Sequence, residues 1–421
     1  MVTNNRATEQ PAVLVCTVGG SHQPILTALR SRHWQRVVFV CSEAAPDSSS
    51  STSMVTEAVE IPATPARKAE RLPSIPVQAG LRRECWEFIE VPADDPDRAF
   101  GKLLNRIEEL KRDGGLVVAD YTGGTKSMSA ALLLAAVNAG AEVELVTGQR
   151  PDLVRVTDLT ERGTRVPTLR VAADGEFTRL SAGWTRYAYQ EASEGFDRLR
   201  TNLKDAGLSR EELRRYTQAQ ELSAAFAAWD AFDHKTAANR LKRYREYEIG
   251  GRYDWFELAG ALGRGQDKPW GALHICDLWH NAQRRAARGR HDDAVACLYR
   301  LWEAIAQWLL RVDCRIDTAV IQTGLHKSWD LYLHLRPDGA AAHFWQQAGE
   351  DGRSQRDRLN EQLSIRNNSI LAHGWKPIGP RGWKSLSEWT EAGLLRVLAK
   401  EAERLGEPHD LPQLPTSLPP L

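Results

Sequence analysis

The first 150 residues alternate short apolar runs with amphipathic segments, and this alternation constrains the fold most strongly. The apolar runs are AVLVCTV at 12–18, RVVFVC at 36–41, WEFIEV at 86–91, LVVADY at 116–121 and AEVELVT at 141–147. Helix-like segments lie at about 24–32, 96–112 and 127–139. Apolar strands that alternate with helices indicate a parallel sheet that is covered on both faces. We predict a Rossmann-like, doubly wound α/β domain over residues 1–180.

The pattern changes after about residue 180, where strand signals almost disappear. Apolar side chains at 3.6-residue spacing predict helices at about 184–206, 209–229, 236–248, 270–289, 291–311, 353–373 and 384–405. The stripe from Ala294 to Leu309 is typical of core packing. We predict a helical connector at 181–270, an all-α domain at 271–421 and an extended tail beyond Leu405.

Composition narrows the class of protein. The chain is 42% hydrophobic and 26% charged, which is typical of soluble globular proteins. It has no apolar run of 18 residues and no signal-peptide core in Met1–Pro11, so we expect a cytoplasmic protein without membrane contact. With 55 basic and 55 acidic residues, any RNA site must be a local patch. The six cysteines and His274 with His280 lack metal-ligand spacing, so no metal is expected.

The segment RNNSILAH, from Arg366 to His373, combines a permanent cation with an imidazole. On one continuous helix, seven residues are nearly two turns, which places both side chains on one face about 10 Å apart. A guanidinium can hold a phosphate and an imidazole can transfer protons, which suits metal-free cleavage of RNA. The alternative is a surface arginine with a helix-ending histidine before Gly374.

Two glycine turns follow predicted strands, TVGGSHQ at 17–23 and DYTGGTKSM at 120–128. Ligands bind at this edge of open parallel sheets, where glycines allow close approach and helix N-termini offer N–H groups to anions. The candidate ligand contacts are Gly19, Gly20, Ser21, Thr122, Gly123, Gly124, Thr125 and Lys126. Neither turn matches the P-loop or the dinucleotide fingerprint. Phosphate or nucleotide binding and purely structural turns both remain open.

The turn TGGTKSM at 122–128, followed by an Ala-rich helix, resembles the second ligand motif of CARF domains, and VGGS at 18–21 resembles the first. The segment RNNSILAHG and the upstream RGRHDDAVACLYRLWEAIAQ resemble the catalytic signature and helix pair of HEPN ribonucleases. A CARF domain followed by a HEPN domain is similar to the accessory ribonucleases of type III CRISPR systems. The stretches at about 42–80 and 181–275 have no assigned motif.

This resemblance implies a metal-independent endoribonuclease that cleaves single-stranded RNA and is activated allosterically by cyclic oligoadenylate in antiviral defence. Arg366 would hold the phosphate, His373 would transfer protons, and Asn367 and Asn368 would orient them. The products would be a 2′,3′-cyclic phosphate and a 5′-hydroxyl. The 10 Å spacing favours a homodimer, since two such helices can form one composite site. Cyclic oligoadenylate is an activator, and no cofactor is expected.

Two other functions stay open. In the first, the chain is a CARF-type sensor whose helical domain binds nucleic acid or a partner without cleaving it. In the second, the sheet domain is a nucleotide hydrolase or a ring-cleaving nuclease, in which Thr122 or Ser21 positions a ribose hydroxyl. Two arginine clusters are either an RNA-attracting rim or solvated helix faces. They are Arg353, Arg356 and Arg358, and Arg284, Arg285, Arg288 and Arg290.

Overall fold

A computed structural model describes residues 11–44, 50–61, 70–147, 162–251, 253–264, 270–321, 324–349 and 352–421. The chain forms two compact units, Met1–Gly175 and Glu176–Leu421. The second unit contains both the predicted connector and the predicted HEPN domain, and those finer boundaries stay predictions. The predictions for the first ten residues, and for Ser48 and Ser49 of the serine-rich insert, lie outside the described residues.

The first unit alternates strands and helices, as its apolar runs predict. Its elements are β1 (Ala12–Thr17), α1 (His22–Arg30), β2 (Arg36–Ser42), α2 (Ser53–Thr56), β3 (Val59–Ile61), β4 (Glu70–Leu72), α3 (Ile75–Gln78), β5 (Trp86–Val91), α4 (Pro96–Arg112), β6 (Leu116–Asp120), α5 (Lys126–Ala139), β7 (Glu142–Thr147) and β8 (Arg162–Arg165). The helix α6 (Leu169–Ala182) follows and continues into the second unit's sequence.

Six strands form one sheet in the order β5-β2-β1-β6-β7-β8, parallel except for the β7–β8 pair. From β1 the chain adds β2 and β5 on one side, then β6 and β7 on the other, so its direction reverses between β1 and β6. These two strands pair directly, with Cys16 opposite Asp120 at their carboxyl ends. The predicted Rossmann-like class is confirmed. Separately, β3 and β4 pair antiparallel.

Helices cover both faces of the sheet, which explains why its strands lack polar alternation. On one face, Val13 and Val15 of β1 share a buried cluster with Leu103 of α4 and Leu132 of α5. On the other, Leu14 and Cys16 share a cluster with residues of α1, including Ile25 and Leu29. Each residue of the central strand β1 is therefore removed from water whichever way it points, and apolar burial stabilises both layers.

The second unit is helical. Its helices are α7 (Tyr189–Asp205), α8 (Arg214–Asp230), α9 (His234–Leu241), α10 (Trp255–Arg264), α11 (Ala272–Ala287), α12 (His291–Val312), α13 (Thr318–Ile321), α14 (Leu325–Leu335), α15 (Ala340–Gln346), α16 (Gln355–Asn367), α17 (Pro380–Ala392) and α18 (Leu394–Leu405). The predicted set omits α10, α13, α14 and α15. The predicted helix at 384–405 is two helices, because Gly393 separates them where an added Cβ would lie 2.6 Å from the Phe344 ring.

Helix α12 forms the centre of the second unit. Leu298, Trp302, Ile305 and Trp308 of the predicted stripe are fully buried, which confirms its prediction as core. The Trp302 indole also donates a 2.8 Å hydrogen bond to the Thr390 hydroxyl. This bond satisfies the polar end of a buried aromatic side chain and fixes α12 against α17.

One predicted surface arginine is buried. Arg284 has no exposed surface, and its guanidinium bonds Asp230 at 2.7 Å, Asp277 at 3.3 Å and the Gln413 side chain at 2.8 Å. The interpretation of Arg284 as part of an RNA-attracting rim is therefore wrong. Sequence patterning missed this because Asp230 lies 54 positions away along the chain.

The segment after α18 packs along the same helices. His280 bonds the Leu411 carbonyl at 2.8 Å, and the Tyr189 hydroxyl donates to the Pro415 carbonyl at 2.7 Å. The side chain of Leu414 is buried. Residues 411–415 thus belong to the helical core although they form no helix.

None of the helices in the described ranges combines the length and apolar character needed to cross a membrane.

Candidate functional site

The two glycine turns meet at the carboxyl ends of β1 and β6. A Cβ added to Gly19 would lie 2.6 Å from the Gly124 nitrogen, and one added to Gly123 would collide with the Thr17 carbonyl. Gly124 has a φ of +77°, a conformation that favours glycine. The backbones of both turns therefore touch without side chains between them. This close approach forms one polar edge where the strand order reverses, the place where open α/β sheets bind ligands.

Side-chain hydroxyls hold this edge in place. Thr17 and Ser129 each donate a 2.7 Å bond to the Gly123 carbonyl. The Thr122 hydroxyl accepts from the Val146 N–H at 2.8 Å, which ties the turn to β7. Thr125 caps α5 by accepting from the Met128 N–H, and its hydroxyl also donates to the Ala93 carbonyl. The two predicted ligand threonines thus already have structural partners.

Other candidates at this edge are open to solvent. Gly20, Ser21 and Lys126 are exposed. Ser21 precedes α1, and its side chain makes no capping bond to that helix. A hydroxyl, an ammonium group and the N-termini of α1 and α5 are suitable partners for an anionic ligand.

Asp120 is a buried carboxylate that sequence reasoning did not select. Only 3% of it is exposed, and Oδ1 accepts a 2.9 Å bond from the Thr122 N–H. The buried Oδ2 has no hydrogen-bond partner. Burial raises the pKa of Asp120 to about 6, although the Thr122 bond opposes this shift. The signal in the sequence was an acid at the end of an apolar strand, immediately before a glycine turn.

A pocket of about 580 Å³ adjoins the first turn. It is lined by Gly20, Ser21, His22, Gln23, Leu26, Met54, Val59, Glu60, Leu72 and Gln78. The ring of His22 contacts the Gln78 amide at 2.6 Å and the Met54 sulfur at 3.4 Å. Burial lowers the pKa of His22, which favours a neutral imidazole there. Sequence reasoning missed these residues because Met54 and Gln78 are distant along the chain.

In the second unit, helix α16 ends at Asn367, so the predicted continuous helix at 353–373 is wrong. Asn368 caps the helix, and the Ser369 N–H bonds the Arg366 carbonyl at 3.0 Å. The His373 N–H then reaches back to the Asn367 carbonyl at 3.2 Å, and the Gly374 N–H to the Ser369 carbonyl at 3.1 Å. Arg366 and His373 therefore do not share a helix face. A returning loop, residues 368–374, connects them.

This returning loop requires glycine at its end. A Cβ on Gly374 would collide with the Asn368 carbonyl. Ser369 is buried, whereas His373 is exposed. The loop thus presents the imidazole to solvent from a backbone that is folded back on itself.

Arg366 occupies the last turn of α16 and is partly buried. Its guanidinium lies 4.4 Å from the centroid of the Tyr299 ring on α12, and Nη1 donates a 3.0 Å bond to the Asn367 side chain. These contacts orient the cation while leaving it in a partly open position. Asn367 and Asn368 are exposed. The loop brings all four predicted catalytic residues to the same end of α16.

No curated protein matches the chain. Residues 264–393 match the family described as "Csm6 HEPN domain".

Two solved structures show remote similarity to the chain. Enterococcus italicus Csm6 bound to cyclic hexa-2′-fluoro-hexa-dAMP is 12% identical, covers 93% of this chain and 95% of its own, and has a TM-score of 0.49. Can2 from Sulfobacillus thermosulfidooxidans in complex with cyclic tetra-adenylate is 12% identical, covers 65% of this chain and 68% of its own, and has a TM-score of 0.25.

The family match covers every helix from α11 to α17 and includes the Arg366–His373 segment. This match supports the HEPN resemblance over residues 264–393.

Proposed function

We propose that this chain is an endoribonuclease of type III CRISPR antiviral defence, activated by cyclic oligoadenylate. The observation that carries this proposal is the HEPN match across Arg366–His373, where the loop presents its histidine to solvent. The sensor would be the CARF-like sheet of the first unit. Its support is the pair of touching glycine turns at the reversal between β1 and β6.

RNA carries its own nucleophile, the 2′-hydroxyl. His373 would take or return the proton, and Arg366 would hold the phosphate and stabilise negative charge in the transition state. The contact of Arg366 with Tyr299 supports this role because it limits the guanidinium's freedom before substrate arrives. The reaction would yield a 2′,3′-cyclic phosphate and a 5′-hydroxyl without a metal ion.

A homodimer remains part of the proposal. Its reason is no longer the spacing of Arg366 and His373 along one helix but the exposed apolar side chains around His373. Ile370 and Leu371 are 52% and 53% exposed, and Trp375 is 90% exposed. These apolar side chains flank His373 in sequence, and burying them against a second copy would be favourable. A two-fold interface through the returning loop would place two Arg366 and His373 pairs together.

The sensor would use backbone groups more than threonine hydroxyls. Thr122 and Thr125 have partners within the fold, whereas Ser21, Lys126 and the glycine backbone face outward. A ring of phosphates suits such a surface. Activation requires that the ring binds more tightly to the arrangement in which the HEPN site is competent.

A fluorogenic single-stranded RNA tests the proposal. The full-length protein is assayed in EDTA without ring, with cyclic tetra-adenylate and with cyclic hexa-adenylate. We expect slow cleavage without ring, at least about tenfold faster cleavage with one of them, and products ending in 2′,3′-cyclic phosphate. Equal rates in all three reactions would refute activation by a ring. Ring binding without any RNA cleavage would instead favour the non-cleaving sensor.

A further inference from the structure

A groove of about 740 Å³ lies between α15, α16 and α17 of the HEPN unit. Phe344 and Trp389 contribute aromatic walls. Four cationic side chains and two carboxylates also line it, which leaves a net positive charge. The cations are Arg353, Arg358, Arg381 and Lys384, and the acids are Glu361 and Glu388. A polar, positively charged groove of this volume is large enough for a nucleotide.

Gln362 supplies an unused acceptor in this groove. The residue is only 7% exposed, and its Oε1 has no hydrogen-bond partner. The amide nitrogen is directed to the Ser385 hydroxyl at 3.4 Å. Neighbouring Gln355 differs, because its Oε1 accepts from the Trp389 indole at 3.1 Å. A buried acceptor without a partner is costly unless a ligand donates to it.

The same helix connects this groove to the predicted catalytic arginine. Gln362 and Arg366 are one turn apart on α16, a rise of about 6 Å. At about 100° per residue, Gln355, Gln362 and Arg366 fall within about 40° of each other around the helix axis. The groove therefore approaches Arg366 along one helix face, at the spacing of adjacent nucleotides.

We propose that this groove binds a nucleotide of the RNA substrate beside the scissile phosphate and selects its base. The inference rests on the proposed ribonuclease function and adds a specificity site to it. A base with an exocyclic amino group donates to Gln362 Oε1, whereas the carbonyl of uracil faces that oxygen unfavourably. Arg381 and Lys384, both exposed on α17, attract the flanking phosphates.

Binding of uncleavable RNA tests the groove separately from catalysis. The full-length protein is titrated with two 2′-fluoro oligonucleotides, which lack the attacking hydroxyl, one containing only cytosine and the other only uracil. We expect the cytosine form to bind about tenfold more tightly. Gln362→Met should reduce this preference to about twofold or less and leave the salt dependence unchanged.

The cations are tested with Arg381→Ala/Lys384→Ala. This double variant should bind each oligonucleotide at least about fivefold more weakly than wild type while keeping the cytosine preference. Its slope of log affinity against log salt should fall by about 1.4. The matched controls are Gln190→Met, on the exposed surface of α7, and Arg396→Ala/Lys400→Ala, exposed on α18 outside the groove. Both controls should bind as wild type does.

The proposed nucleotide site would be refuted if Gln362→Met keeps the base preference of wild type and the α17 double variant keeps its affinity. Tighter binding of the uracil form by wild type would also refute it. If ring-activated wild type cleaves RNA but the groove variants bind RNA normally, the nucleotide site is refuted and the proposed ribonuclease function is retained. If the groove variants lose RNA binding but wild type shows no cleavage with any ring, the proposed ribonuclease function is refuted and the nucleotide site is retained.

Discussion

The β6–α5 turn and the returning loop of residues 368–374 both depend on a glycine that allows close approach of the backbone. They differ in key side chains, which are bonded within the fold in the turn and exposed to solvent in the loop. Both contain a glycine whose Cβ would collide with a carbonyl, at Gly123 and Gly374. In the turn, the Thr122 and Thr125 hydroxyls are bonded within the fold. In the loop, His373 is exposed. We infer that a substitution in the turn changes ligand affinity and protein stability together. In the loop, removing the proposed catalytic side chain should lower activity with little effect on stability.

The largest effect is expected at the loop. His373→Ala should lower ring-activated RNA cleavage by about 10²–10⁴-fold, since general acid–base catalysis contributes that much. The melting temperature should change little, because the side chain is exposed. His343→Ala, an exposed histidine on α15 of the same unit, is the control and should keep full activity. Full activity in His373→Ala would remove the histidine from the mechanism.

The second prediction separates the loop backbone from its side chains. Gly374→Ala should reduce cleavage about 100-fold, because the new Cβ collides with the Asn368 carbonyl and moves His373. Gly379→Ala, where a Cβ meets nothing within 4 Å, should be near wild type. Cleavage rates are measured on fluorogenic RNA, with circular dichroism as a check of folding. Equal rates in both variants would show that the loop tolerates displacement.

In the turn, stability and binding should fall together. Gly123→Ala places a Cβ against the Thr17 carbonyl and should lower the free energy of unfolding by about 1–3 kcal/mol. Ring affinity, measured by calorimetry, should also decrease. Gly20→Ala lies in the other turn with no atom within 4 Å of the new Cβ, so its stability should stay within about 0.5 kcal/mol. A destabilised Gly123→Ala that binds the ring normally would break the proposed coupling.

The smallest effect concerns pH. Burial raises the pKa of Asp120 from 3.8 to about 6, so the native state binds a proton more readily than the unfolded state between these values. Stability therefore falls as pH rises through this window. Relative to Asp120→Asn, which does not titrate, wild type should lose about 2 kcal/mol between pH 4 and pH 7. Hydrogen exchange of the β1 and β6 amides measures this difference, and parallel pH curves would contradict it.

Sequence alone predicted the sheet well, because strands buried on both faces leave continuous apolar runs such as 36–41. It also predicted that the two glycine turns lie at the same edge, since both follow strands. The end of α16 was not predictable from periodicity. Ile370 and Leu371 continue a helix-like apolar pattern, but bonds from His373 and Gly374 back to earlier carbonyls turn the chain instead.

The sites depend on contacts that sequence patterning does not contain. Arg284 looked like one of several surface arginines, yet acids on α8 and α11 neutralise it in the interior. Gln362 and Trp389 come together only through the packing of α16 and α17. Local chemistry therefore identified the candidate catalytic residues, while the groove beside them emerged from tertiary structure.

The buried Arg284 has a mechanical consequence. Its guanidinium joins Asp230 at the end of α8 to Asp277 on α11 and to Gln413 after α18. Moving one of these segments relative to the others would break contacts of the Arg284 guanidinium and leave a buried charge without its partner, at a cost of several kcal/mol. We infer that helices α8 and α11 and the final segment move together as one rigid group. A displacement of α8 would therefore also displace the HEPN helix α11.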